Sequence, residues 1–89
     1  MAHESRLSRE LRSLLNGQRV AALGTLCDHG GPLVTMVPYA IEPGQACLVI
    51  HVSSLAAHTR NLQAAAAVSL LVMRAAVQGE PVHALPRVT

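Results

Sequence analysis

Leu7, Leu11, Leu14 and Leu15 recur at helical spacing within residues 4–16, ESRLSRELRSLLN, while Arg6, Arg9, Glu10 and Arg12 fall largely on the remaining face. The spacing predicts an amphipathic helix over 4–16, packed by its leucine stripe and stopped by Asn16 and Gly17. After Gly17 the period shortens from 3.6 to 2. Residues 19–27, RVAALGTLC, read as an apolar strand ended by the turn DHGGP. Residues 32–42, PLVTMVPYAIE, are rich in β-formers, with Thr35, Val37 and Tyr39 alternating against Val34, Met36 and Pro38. Pro38 has no amide proton and is expected at an edge, a bulge or a break in pairing. The turn EPGQ leads into a third strand over 46–53, so three strands form an antiparallel meander. A second helix is expected over 55–65, with Ser53 or Ser54 as its N-cap. A strand over 67–75, a loop punctuated by Gly79 and Pro81, and the opening of a further strand over 86–89 complete the order. Strands this apolar favour a sheet curled into a barrel, which removes exposed edges.

Composition narrows the function classes. The chain has 89 residues, 51% hydrophobic and only 13% charged, with mean hydropathy of +0.35. A chain this short buries a limited fraction of its surface, so apolar surface left over would serve a partner chain. All seven basic residues are arginine, which excludes a Schiff-base or phosphate-loop lysine. A net charge of +2 and a single aromatic residue, Tyr39, argue against nucleic-acid binding. The apolar runs are too short for a membrane helix, and the charged N-terminal stretch is unlike a secretory signal. Cys27 and Cys47 are therefore read as free thiols in a cytoplasmic protein, with a disulfide between them as the lesser alternative.

Two segments carry candidate chemistry. The first is SSLAAHTRNL, residues 53–62. A helix start offers free backbone amides and the positive end of the dipole, to which Ser53, Ser54, His58, Thr59 and Arg60 would add donors suited to a phosphate. The plainer reading makes Ser54 a cap, His58 a core or interface histidine, and Arg60 a solvated charge. The second is TMVPYA, residues 35–40, where a proline-broken strand could expose polar backbone beside Met36 and Val37, or could be ordinary core. The histidines at 3, 29, 51, 58 and 83 are scattered, and Cys47 with His51 is no zinc signature. The sequence holds no nucleophile elbow, paired carboxylates or glycine-rich phosphate loop, so any chemistry falls to a cofactor.

The ordered run RVAALGTLCDHGGPLVTMVPYAIEPGQACLVIHVSSLAAHTRNLQAAAAVSLLV resembles the FMN-binding split barrel of the pyridoxamine 5′-phosphate oxidase-like proteins. LAAHTRNL and ALPRVT look most like the subgroup associated with haem utilisation and haem degradation. The resemblance implies a mainly β fold with flanking helices, an antiparallel split barrel, here expected as a single domain over 1–89 that is incomplete at the C-terminus. It implies a homodimer with FMN between the subunits. Thr35, Met36, Val37 and Pro38 would then lie beside the flavin ring, and Ser53, Ser54, His58, Thr59 and Arg60 near the phosphate. The chain departs from the oxidase pattern. Thr35 and Ala40 stand nearest the oxidases' ring-side arginine and lysine, and Ala57 and His58 stand where they carry an Arg-Lys pair. Each lost charged contact would weaken phosphate binding by ~1–3 kcal/mol. The leading expectation is an FMN-binding, oxidoreductase-like protein that is not a true pyridoxamine phosphate oxidase. The alternatives are a haem-binding or haem-degrading protein, with His83 as an axial candidate, and a non-catalytic dimerisation module.

Overall fold

A computed structural model of the chain describes residues 4–89. His3, counted among the histidines above, and the first three positions of the expected domain lie outside the described residues. The elements in chain order are α1 (Arg6–Gly17), β1 (Val20–Leu26), β2 (Pro32–Glu42), β3 (Cys47–Ile50), α2 (Ala57–Ala64), β4 (Ser69–Met73), a short 3-10 turn (Val82–Ala84) and β5 (Arg87–Val88). The five strands form one antiparallel sheet in the order β3-β2-β1-β4-β5. Among the described residues the sheet is open, with β3 and β5 at its two edges.

β1 holds the centre. Its residues pair with β2 from Val20↔Pro38 to Leu26↔Pro32, and with β4 at Ala22↔Leu71 through Gly24↔Ser69. The two-residue period assigns the faces. Ala21, Leu23 and Thr25 of β1, Val37 and Tyr39 of β2, and Val72 of β4 are buried on the face that both helices cover. Val20, Val34, Met36, Val49 and Met73 stay exposed, and the strand register puts them on the opposite face. Pro38 marks a ladder end. It accepts from the His51 amide at 3.0 Å but has no N–H to return, and β3 stops one residue short, at Ile50. The turn between β1 and β2 closes through the Cys27 amide donating to Gly31 and the Gly30 amide donating to Cys27. Gly30 has a φ of +85°, a conformation that costs a side-chain-bearing residue.

α1 is capped by Ser5, whose hydroxyl accepts from the Ser8 amide at 3.1 Å. Its leucine stripe packs only in part. Leu14 is buried and Leu15 half-buried against the core, whereas Leu7 and Leu11 are exposed. The expected continuous stripe is thus corrected to its C-terminal half. The Tyr39 phenol donates to the Leu15 carbonyl at 2.6 Å, satisfying one of the carbonyls that a helix end leaves without an intrahelical partner.

α2 is held by a polar contact. Asn61 is 6% exposed and its Nδ2 donates to the Thr25 hydroxyl at 3.0 Å, with the Cys27 sulfur 3.7 Å away. Thr25 is itself 3% exposed, so each group relies on the other.

Two stability predictions follow from these contacts. Asn61→Ala leaves the Thr25 hydroxyl buried without its partner and should cost about 1–3 kcal/mol in denaturant unfolding, with faster amide exchange in α2; an unchanged midpoint would refute the anchoring role. Tyr39→Phe should cost about 1 kcal/mol at neutral pH. Burial raises the Tyr39 pKa above its ordinary 10.0. Its contribution is therefore fully present below about pH 10 and lost as pH rises through the raised value. Tyr39→Phe should abolish that alkaline loss in pH-dependent thermal melts.

Candidate functional site

The two candidate segments meet where β2 passes beneath the start of α2. Thr35 lies on the helix-covered face of β2, and its Oγ1 is 2.8 Å from His58 Nδ1. The other ring nitrogen of His58, Nε2, is buried and has no hydrogen-bond partner among the described residues. With Asn61, Thr25 and Cys27 one helical turn further along, the underside of α2 is lined by polar groups within an otherwise aliphatic face.

β2 separates the four residues expected beside a flavin ring. Thr35 and Val37 turn toward the helices, and Val37 is fully buried. Met36, 67% exposed, and Pro38 turn the other way, on the face with Val34, 68% exposed. The pleat of a regular strand makes this separation unavoidable. Met36 and Pro38 share an apolar surface; Thr35 and Val37 do not belong to it.

The residues expected at the phosphate side are brought together, and most are already engaged. α2 starts at Ala57, two residues later than expected, and its N-cap is Ala56, which offers no capping side chain. Neither Ser53 nor Ser54 caps it. The Ser53 hydroxyl instead accepts from the Leu55 amide at 3.2 Å, in a turn closed by the Ala56 amide on the Ser53 carbonyl. That turn leaves Leu55 in solvent, 85% exposed. The Thr59 hydroxyl donates to the Ser53 carbonyl, and Arg60 Nη1 donates to the Leu55 carbonyl at 3.2 Å. Ser54 and Arg60 are exposed. The cluster can present one guanidinium, the Ser54 hydroxyl and an uncapped helix turn to an anion, while the Ser53 and Thr59 hydroxyls close the turn itself.

His29, His51 and His83 are exposed and His58 is half-buried. Among the described residues no group of three or more His, Cys, Asp or Glu is placed to hold a metal ion. Both cysteines are free, Cys27 half-buried and Cys47 exposed. Asn61 is a site residue that the sequence pattern of residues 53–62 does not single out. Its signal was its spacing, three residues after His58 and so on the same helical face.

A family model described as pyridoxamine 5′-phosphate oxidase matches residues 7–88. No match was found among curated proteins. Among solved structures, one is 32% identical with a TM-score of 0.72, covering 89% of this chain and 54% of its own. The structure of the heme binding protein from Mycobacterium smegmatis is 27% identical, with a TM-score of 0.78 over 97% of this chain and 34% of its own. HutZ, the heme storage protein from Vibrio cholerae, is 23% identical and shares the fold, with a TM-score of 0.75 over 93% of this chain and 57% of its own. The chain thus spans between about a third and somewhat over half of the structures it matches. From the antiparallel sheet, the two helices on one face and the match over nearly its whole length, the chain belongs to the pyridoxamine 5′-phosphate oxidase family and has its split-barrel fold.

Proposed function

We propose that this chain is a haem-binding member of the family that works as a homodimer, and that it is not an FMN-dependent oxidase. One observation carries the choice of ligand: of the groups that would hold a flavin phosphate, the Ser53 and Thr59 hydroxyls and Arg60 Nη1 are engaged with carbonyls and an amide of their own turn, leaving the Ser54 hydroxyl and the rest of the guanidinium. A phosphate monoester would compete with the turn for the Thr59 hydroxyl and Arg60 Nη1, with Arg60 as the one guanidinium among the phosphate-side residues. Haem makes no such demand. It needs apolar surface, cations for its carboxylates and one axial ligand, for which a lone exposed histidine serves. His83 is the proposed ligand; it lies in the 3-10 turn between Val82 and Ala84, whose backbone is held by Arg87 Nη1 donating to the His83 and Leu85 carbonyls. The likeness to the heme binding protein from Mycobacterium smegmatis, over 97% of this chain, supports the same reading.

The dimer is supported by surface area. The chain exposes 6777 Å², roughly 1,800 Å² more than a compact monomer of its mass. A standard interface removes about 800 Å² from each partner. The second copy is proposed to sit on the outer sheet face of Val20, Val34, Met36, Pro38 and Val49. The two free thiols fit a reducing cytoplasm, and no helix among the described residues is long and apolar enough to cross a membrane.

The FMN reading retains one supporting observation, the uncapped first turn of α2 with Arg60 exposed beside it. Titrating the purified protein separately with haemin and FMN tells the two apart. Haemin should give a saturable Soret shift, and FMN fluorescence should stay unquenched. Saturable FMN quenching without a Soret shift would overturn the haem reading, and silence with both ligands would leave a non-catalytic dimerisation module. His83→Ala should alter the spectrum of bound haem; an identical spectrum would move the iron ligand elsewhere.

A further inference from the structure

The outer sheet face proposed as the seat of the second copy carries one histidine. The His51 amide donates to the Pro38 carbonyl at 3.0 Å, one residue beyond the last β2–β3 pair, Tyr39↔Ile50. Strand alternation then sets the His51 side chain on the face of Pro38 and Val49, where it is exposed. Val20 pairs with Pro38 from the other side, so the imidazole stands at the end of an apolar row.

The sheet is hollow beside it. Pro38, Ala40, Val49 and His51 border a concavity of about 270 Å³, below the roughly 300–1,000 Å³ of small-molecule sites. That space suits one side chain from a facing protein surface. Met36, 67% exposed and two residues from Pro38 on the same face, is such a side chain. In a two-fold contact one patch meets itself, so each copy offers Met36 to the other's hollow and each brings one His51 under cover.

No carboxylate stands beside His51 to offset a proton. None of the ion pairs among the described residues includes it. On β2 the charged residue of this face is Glu42, four positions beyond Pro38 and thus about 13 Å along the strand. Its Oε1 already accepts from the Gly44 amide. The outward residues of β1 are uncharged, and Arg19, paired across from Tyr39, falls on the helix-covered side. β3 adds only the Cys47 thiol, four residues away. Arg87 lies on β5, at the far edge of the sheet, and donates to the His83 and Leu85 carbonyls. A neutral imidazole is covered by apolar side chains at little cost. An imidazolium covered there loses its water and gains no counter-charge.

We infer that His51 makes the homodimer pH-sensitive: the outer faces close on each other while the imidazole is neutral and loosen when it takes up a proton. The inference rests on the dimer reading and adds its regulation.

Sedimentation equilibrium at about pH 8 and about pH 5.5, on either side of the histidine range, tests it. The unaltered chain should associate about tenfold or more weakly at the acid pH, because both copies bring a charge into the contact. His51→Gln, which takes up no proton, should associate equally at both pH values, with its fold checked by circular dichroism. His29→Gln, in the turn between β1 and β2, should keep the acid weakening of the unaltered chain. Equal dimerisation of the unaltered chain at both pH values, or undiminished acid weakening in H51Q, would overturn the role of His51 and leave the dimer reading in place. An unaltered chain that is monomeric at both pH values would overturn the dimer reading as well.

Discussion

A sheet that is apolar on both faces, with helices over only one of them, has a surface it must hide. β1 sets up this constraint because it pairs on both sides. Ala21, Leu23 and Thr25 enter the core beneath the helices, and Val20, Ala22 and Leu26 are thereby directed outward. Through the register, β2 adds Val34, Met36 and Pro38 to that outer face and β4 adds Leu71 and Met73. The same excess is visible in the dimensions. The radius of gyration is 15.2 Å, against about 12 Å for a compact chain of this length.

The helix-covered face has a different logic. Most of it is aliphatic, but beneath α2 it turns polar, with Asn61 donating to Thr25 and His58 meeting Thr35. Polar pairs are directional, so the buried Asn61–Thr25 pair and the half-buried His58–Thr35 pair fix where the helix sits more narrowly than leucine packing would. The turn before α2 is likewise held by its own hydroxyls and by Arg60. A segment so committed to its own geometry has less to offer a phosphate.

The sequence carried the architecture well and the site only in part. Period-two alternation in PLVTMVPYAIE was enough to read β2, and Pro38 does end a ladder. Alternation alone could not say which parity faces inward, because both sets are apolar; burial of Val37 and exposure of Met36 became visible only once the helices were placed. The start of α2 escaped for a related reason. Two serines ahead of a helix read as caps, whereas here Ser53 closes a preceding turn and α2 begins without a capping side chain.

If the outer face is as costly to leave bare as its composition implies, association is a condition of the fold. Sedimentation equilibrium of the unaltered protein over a range of concentrations addresses that claim most directly. The account predicts a particle of twice the 9.4 kDa chain mass that persists on dilution. A stably folded monomer at every concentration would contradict it.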